Sequence, residues 1–220
     1  MSYIYCDNCL TMARDIMAKG GVVMWPLLIC SFISLAIIIE RILFWWRERR
    51  GKQYTPLIEK LFHHTREGDF DKAIKVGLEK ANSITRVLVA GLEHRDYSLT
   101  ESMNVAASDE IARMKQGLSV LDTIITMAPL LGILGTVMGI IRSFRLLSTS
   151  EMMNPSAVTS GIAEALITTA TGLIIALVTL VLFNTLASKV QAETRRMEQI
   201  VTQFEAAYKK GLTHASDHRL

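Results

Sequence analysis

The chain has 220 residues, half of them apolar and a fifth charged, with 24 Lys and Arg against 21 Asp and Glu and a formal net charge of +3. Such apolar content with so little net charge excludes a disordered chain. Three Cys exclude a disulfide-stapled miniature, and so small a basic excess does not point to nucleic acid as a partner. The charges are unevenly placed. One acid and two bases lie between Leu118 and Ser150, and only Glu164 lies between Asn154 and Ser188. What remains is an α-helical membrane protein with sizeable water-exposed parts.

Residues 1–21 read as a polar tail without the apolar stretch or cleavage pattern of a signal peptide, so the first span is expected to be an uncleaved anchor. Cys6 and Cys9 in this tail form a C-x-x-C. A redox or metal role needs a supporting fold that a short tail does not supply, so a local disulfide or an incidental pair is expected. Residues 22–46 form the first span. Trp25 and Trp45 stand twenty residues apart, about 30 Å of helix, which matches a hydrocarbon core with an aromatic anchor at each interface. Pro26 suits a first helical turn. Cys30 is expected to pack.

Residues 47–117 carry 13 bases and 11 acids and belong in water. Their polar stretches have helical spacing, with Gly68-Asp69 as a turn. Ser98-Leu-Thr-Glu101 reads as a capping box. From there Met103, Ala107, Ile111, Met114, Leu118, Leu121 and Ile125 follow in steps of four and three. This seam predicts a continuous helix from Thr100 to Phe144, about 67 Å long, leading unbroken into the second span. The His residues do not form a metal site: His63 and His64 are adjacent, His94 is alone, and His214 and His218 lie in a polar tail.

Residues 118–144 form the second span. Gly132, Gly135 and Gly139 share a face and Gly135/Gly139 make a GxxxG, which lets helices approach closely; this face is also expected to carry the contacts of a ring. Thr136 is the one polar side chain between Thr126 and Arg142. Pro129 is expected to bend the helix. Asp122 sits at the inner boundary, where solvation is the simplest reading. A short link, residues 145–160, leads to the third span, residues 161–187. There Glu164 is the notable residue, because a carboxylate at a helix centre in lipid costs about 2.5–3.5 kcal/mol and must face protein, water or a partner. Thr168 and Thr171 follow on its face, and Thr169 stands beside Ala165, Gly172 and Ala176. The cluster suggests a hydrated or helix-lined path. For any single Thr, a bond to its own helix is the simpler account. Residues 188–220 extend the third span as a helix and tail. Leu186, Val190, Met197, Val201, Phe204 and Tyr208 are expected to pack against the seam of residues 103–125.

Arg47, Arg49, Arg50 and Lys52 follow the first span, against Arg14 and Lys19 before it. The positive-inside rule therefore predicts the N-terminus outside and the C-terminus inside. Arg142 and Arg145 on the short outer link run against it. No phosphate-binding loop, hydrolase or metalloprotease motif is present, so no enzyme is expected and any work must draw on an ion gradient.

"APLLGILGTVMGIIRSF" (residues 128–144) followed by "GIAEALITTATGLIIALVTLVLFN" (residues 161–184) resembles the MotA/TolQ/ExbB proton-channel family, and residues 20–45 look like the first span of its ExbB members. The resemblance implies an all-α, inner-membrane homopentamer of three-span subunits. Its central pore would hold a dimer of single-span ExbD-type partners, each with a membrane aspartate. It implies protons as the transported ion with no other cofactor, and a TonB-like protein as the recipient of the work. Thr136 matches the family's pore Thr in LGxxGT, Thr169 the Thr of EALxxT, and Glu164 the Glu of GIAEAL. Thr171 stands where members carry an apolar residue. A TolQ-type role in the Tol–Pal system and a non-conducting membrane scaffold are the alternatives.

Overall fold

The computed structural model describes residues 21–50, 55–79, 82–149 and 155–217. The C-x-x-C of Cys6 and Cys9, Arg14, Lys19, Lys52 and His218 lie outside the described residues. Among those described, the regular elements are all helices: α1 (Met24–Arg50), α2 (Thr55–Arg66), α3 (Phe70–Glu79), α4 (Ser83–Glu93), α5 (Arg95–Lys115), α6 (Leu118–Thr149) and α7 (Pro155–Asp217). Three stretches, within α1, α5–α6 and α7, are long and apolar enough to cross a membrane. The chain divides into two compact units.

The first unit comprises Met1–Ile39 and Gly117–Asn184. Its core joins Val23, Met24, Leu27 and Cys30 to Ile124 and Ala128 of α6 and Ala176 of α7. Its outer faces carry Phe32, Leu130, Leu166, Ile174 and Leu177, each more than half exposed. An apolar rim this extensive belongs in lipid or against other protein. Pro129 lies inside α6 without ending it. Gly21 opens α1 at a φ of 63°, where a side chain would be strained.

The second unit comprises Glu40–Gln116 and Thr185–Leu220. Helices α2 to α5 pack as successive pairs. The α2–α3 turn has Gly68 at a φ of 79°, at the Gly68-Asp69 pair the sequence marks. A reciprocal capping box starts α4: Asn82 Oδ1 accepts from the Thr85 N–H at 2.6 Å, and Thr85 Oγ1 accepts from the Asn82 N–H at 2.8 Å. The Ser83 hydroxyl donates to Glu48 at 2.6 Å, so this helix start is tied back to α1.

Three expectations are corrected. The helix from Thr100 to Phe144 is not continuous. It stops at Lys115, Gln116 is extended (φ −53°, ψ 133°), and Gly117 takes a φ of 78° before α6 begins. A seam of apolar residues continues across a break as readily as along a helix, so spacing could not reveal it. What fixes the break is remote in sequence: Arg41, 3% exposed, donates to the carbonyls of Arg113 at 2.8 Å and Met114 at 3.4 Å, satisfying the orphan acceptors at the end of α5. Its guanidinium also contacts Glu40 and lies 5.0 Å over the Phe44 ring.

The second correction concerns Ser98. Its hydroxyl accepts from the Glu101 N–H at 3.2 Å, but its own N–H donates to the His94 carbonyl at 3.3 Å. That amide is already satisfied, so the box forms by half. The third concerns the seam of α7. Met197, Val201 and Phe204 are buried, but the far end is covered by short helices. Phe204 packs edge-on to Phe62 of α2 at 5.2 Å, Tyr208 meets Phe70 of α3 at 5.1 Å, and Gly211 admits the carbonyl of Thr65.

Candidate functional site

Within the first unit α6 and α7 run antiparallel through a stripe of small residues. A Cβ added at Gly132 would come 3.0 Å from Thr169 Cα. One at Gly139 would come 2.9 Å from the Gly161 carbonyl oxygen and 3.0 Å from Ala165 Cβ. One at Gly135 would overlap the Thr168 side chain, and one at Gly172 would meet the Ala128 carbonyl oxygen at 2.5 Å. Missing side chains thus bring the two backbones within van der Waals reach. The close approach is used inside the subunit. All four glycines are buried in the single chain, so the expectation that this face carries the contacts between copies is corrected. Gly161 and Ala165 belong to the same stripe; a small residue every third or fourth position along α7 was the signal for them.

At one end of this pair Glu164 and Arg142 form an ion pair at 3.5 Å, with the Glu164 side chain 21% exposed. The Glu164 carboxylate lies directly over Gly21, where a Cβ would collide with it. A membrane carboxylate therefore has a cation within reach. Arg142, which runs against the positive-inside pattern as a bare charge, is partly neutralised by the same contact.

The threonines separate by environment. Thr136 is half-exposed and donates to the Ile133 carbonyl at 2.6 Å. Thr169 is half-exposed and donates across to Gly132 of α6 at 2.9 Å, which ties the two helices. Thr171 donates to Ile167 at 2.8 Å. Thr168 is 1% exposed and donates to Ala165 at 2.8 Å. Its hydroxyl is enclosed against Gly135, and no face of the subunit presents it.

Thr136 lies six residues along α6 from Arg142 and Thr169 five along α7 from Glu164; because Thr169 stands opposite Gly132, the two hydroxyls are about one helical turn apart in depth. Thr136 also borders a hollow of about 330 Å³ walled by Ile140, Phe144, Ile162 and Leu166. With their protons committed to carbonyls, the Thr136 and Thr169 oxygens offer acceptor lone pairs at membrane depth. Such groups suit a protonated carboxylic acid. When that acid ionises, a hydroxyl can turn its proton outward and donate to the carboxylate instead.

The second unit holds a two-bonded ion pair. Arg86 clamps Glu110 with two bonds of 2.7 Å, and Arg113 adds a third at 3.3 Å. Burial alone raises the Glu110 carboxyl, but the bonds and charges of Arg86 and Arg113 outweigh it and hold Glu110 below the usual carboxylate range. The same pairing pushes Arg86 up. This cluster joins α4 to α5 and is structural.

A model of the MotA/TolQ/ExbB proton channel family matches residues 77–199. The chain is 36% identical to the ExbB-like 1 biopolymer transport protein of Synechocystis sp., over 89% of this chain and 79% of that protein. It is 32% identical to the ExbB-like 3 protein of the same organism, over 87% and 92% respectively. It is 28% identical to the Tol-Pal system protein TolQ of Haemophilus influenzae, over 86% and 90%.

Proposed function

From the chain's membership of the MotA/TolQ/ExbB proton channel family, we propose that it is the three-span subunit of an inner-membrane proton-driven motor of the ExbB type. Five copies form a ring around single-span ExbD-like partners, and a TonB-like protein receives the work. The N-terminus lies outside and the C-terminus inside. Thr136 and Thr169 line the proton path, and the Arg142–Glu164 pair marks its outer end. The observation that carries this reading is the pair of half-exposed hydroxyls on adjacent helices, about one helical turn apart in depth, with Thr136 beside an apolar hollow. A proton carrier that alternates between acid and carboxylate needs such acceptors where water is scarce. ExbB-like relatives at 36% and 32% identity favour this branch; TolQ relatedness at 28% supports a Tol–Pal assignment as the second reading.

The test is co-expression with the single-span protein encoded beside this chain, followed by the mass of the intact complex. A stable ring containing a membrane-aspartate partner supports the proposal. A chain that purifies without such a partner, and whose gene has no such neighbour, overturns it in favour of a scaffold.

A further inference from the structure

Asp122 is the sole acid of α6, and the path described above does not use it. It lies four residues from Thr126 and fourteen from Thr136. At about 100° per residue, Asp122, Thr126, Ile133, Thr136 and Ile140 fall within some 40° of a common line along α6. None of the five is buried by α1 or α7. The stripe that those helices cover, Leu121, Ile124, Ala128, Gly132 and Gly135, is centred about 120° around the helix from that line. Among the described residues no cation stands within ion-pair distance of the Asp122 carboxylate. Thr126, one turn further on, donates its hydroxyl proton to the Thr123 carbonyl at 2.9 Å, which again leaves an acceptor on this face.

The register of the hairpin fixes the depth. Arg142 meets Glu164 at one end, Gly132 meets Thr169, and Ala128 meets Gly172. Asp122 is twenty residues from Arg142, and Asn184 is twenty from Glu164. Each interval is about 30 Å, one hydrocarbon thickness. Asp122 therefore sits at the end of the hairpin opposite the ion pair, on the same helix face as Thr136.

We infer that Asp122 is the inner-mouth proton acceptor of this channel, an inference that rests on the proposed function. A protonated carboxylic acid or hydronium ion in the pore loses its O–H proton to the Asp122 carboxylate. The donor is left as carboxylate or water, and Asp122 then passes the proton to water on the inner side. An acceptor at this level shortens the apolar stretch that a proton crosses beyond Thr136 and Thr169.

The experiment uses the full complex of this chain with its single-span partner in liposomes, with gradient-driven flux read by an entrapped pH dye and complex mass measured in parallel. Asp122→Asn lowers flux five- to tenfold at unchanged mass, and Asp122→Glu restores it to within twofold. Wild-type flux from Asp122→Asn overturns the inference, as does loss of the complex in that variant or failure of Asp122→Glu to restore flux. A wild-type complex that conducts nothing overturns the channel reading and this one together. Conduction lost in Thr136→Val with Thr169→Val but unchanged in Asp122→Asn overturns this one alone.

Discussion

At the scale of single residues, the ion pairs outside the membrane are the sharpest handles. Glu110 is 9% exposed in its side chain and Arg86 39%. Removing one partner of a fully buried pair costs about 3–5 kcal/mol, and partial exposure of Arg86 brings the expected cost of Glu110→Gln nearer 2 kcal/mol. Because the folded protein holds the Glu110 carboxyl low, its contribution is complete above the ordinary carboxylate value of about 4.3 and disappears as pH falls through the lowered folded value. Thermal melts at pH 7 and near pH 3 should differ less in Glu110→Gln than in wild type; an equal difference would mean the pair does not contribute. Neither this clamp nor the cap provided by Arg41 was legible in the sequence. Arg41 and Arg113 are 72 residues apart, and a charge count cannot say which charges meet. Glu164 was legible as unusual because lipid makes any carboxylate conspicuous. Its partner was not, since Arg142 reads from the sequence as a loop charge.

At the scale of elements, the spans were legible because twenty uncharged residues have few alternatives. The glycine stripe was legible as a packing face, but the sequence could not say whether the partner is the same chain or another copy. The geometry assigns it to α6 against α7. Gly135→Leu should therefore wedge the Thr168 side chain away and disrupt the subunit itself. Intact-complex mass and a melting curve should both fall. A variant with a normal melt that only fails to form the ring would contradict the intrachain assignment. The break at Gly117 makes a second element-scale prediction. Arg41→Met leaves the Arg113 and Met114 carbonyls without their donor, so amide exchange should accelerate by tenfold or more over the last turn of α5, with the core of α4 unchanged. Uniform protection across α5 would show that Gly117 alone sets the break. Periodicity could not have found it, because buried positions continue in step on both sides.

At the scale of the whole molecule, the proposal commits to a direction and to a path. Tags at residues 2 and 220 should lie on opposite faces of the membrane, outside and inside, as the bases after the first span require; both on one face would overturn the three-span account. The path is tested most directly by proton flux through the reconstituted complex carrying Thr136→Val with Thr169→Val. Valine keeps the shape and removes the hydroxyl. Besides the Thr136 bond within its own helix, the variant loses one bond between helices, from Thr169 to Gly132, a kind worth about 0.6 kcal/mol between membrane helices. The account predicts an intact complex whose gradient-driven flux falls at least tenfold. An intact complex with wild-type flux would contradict it.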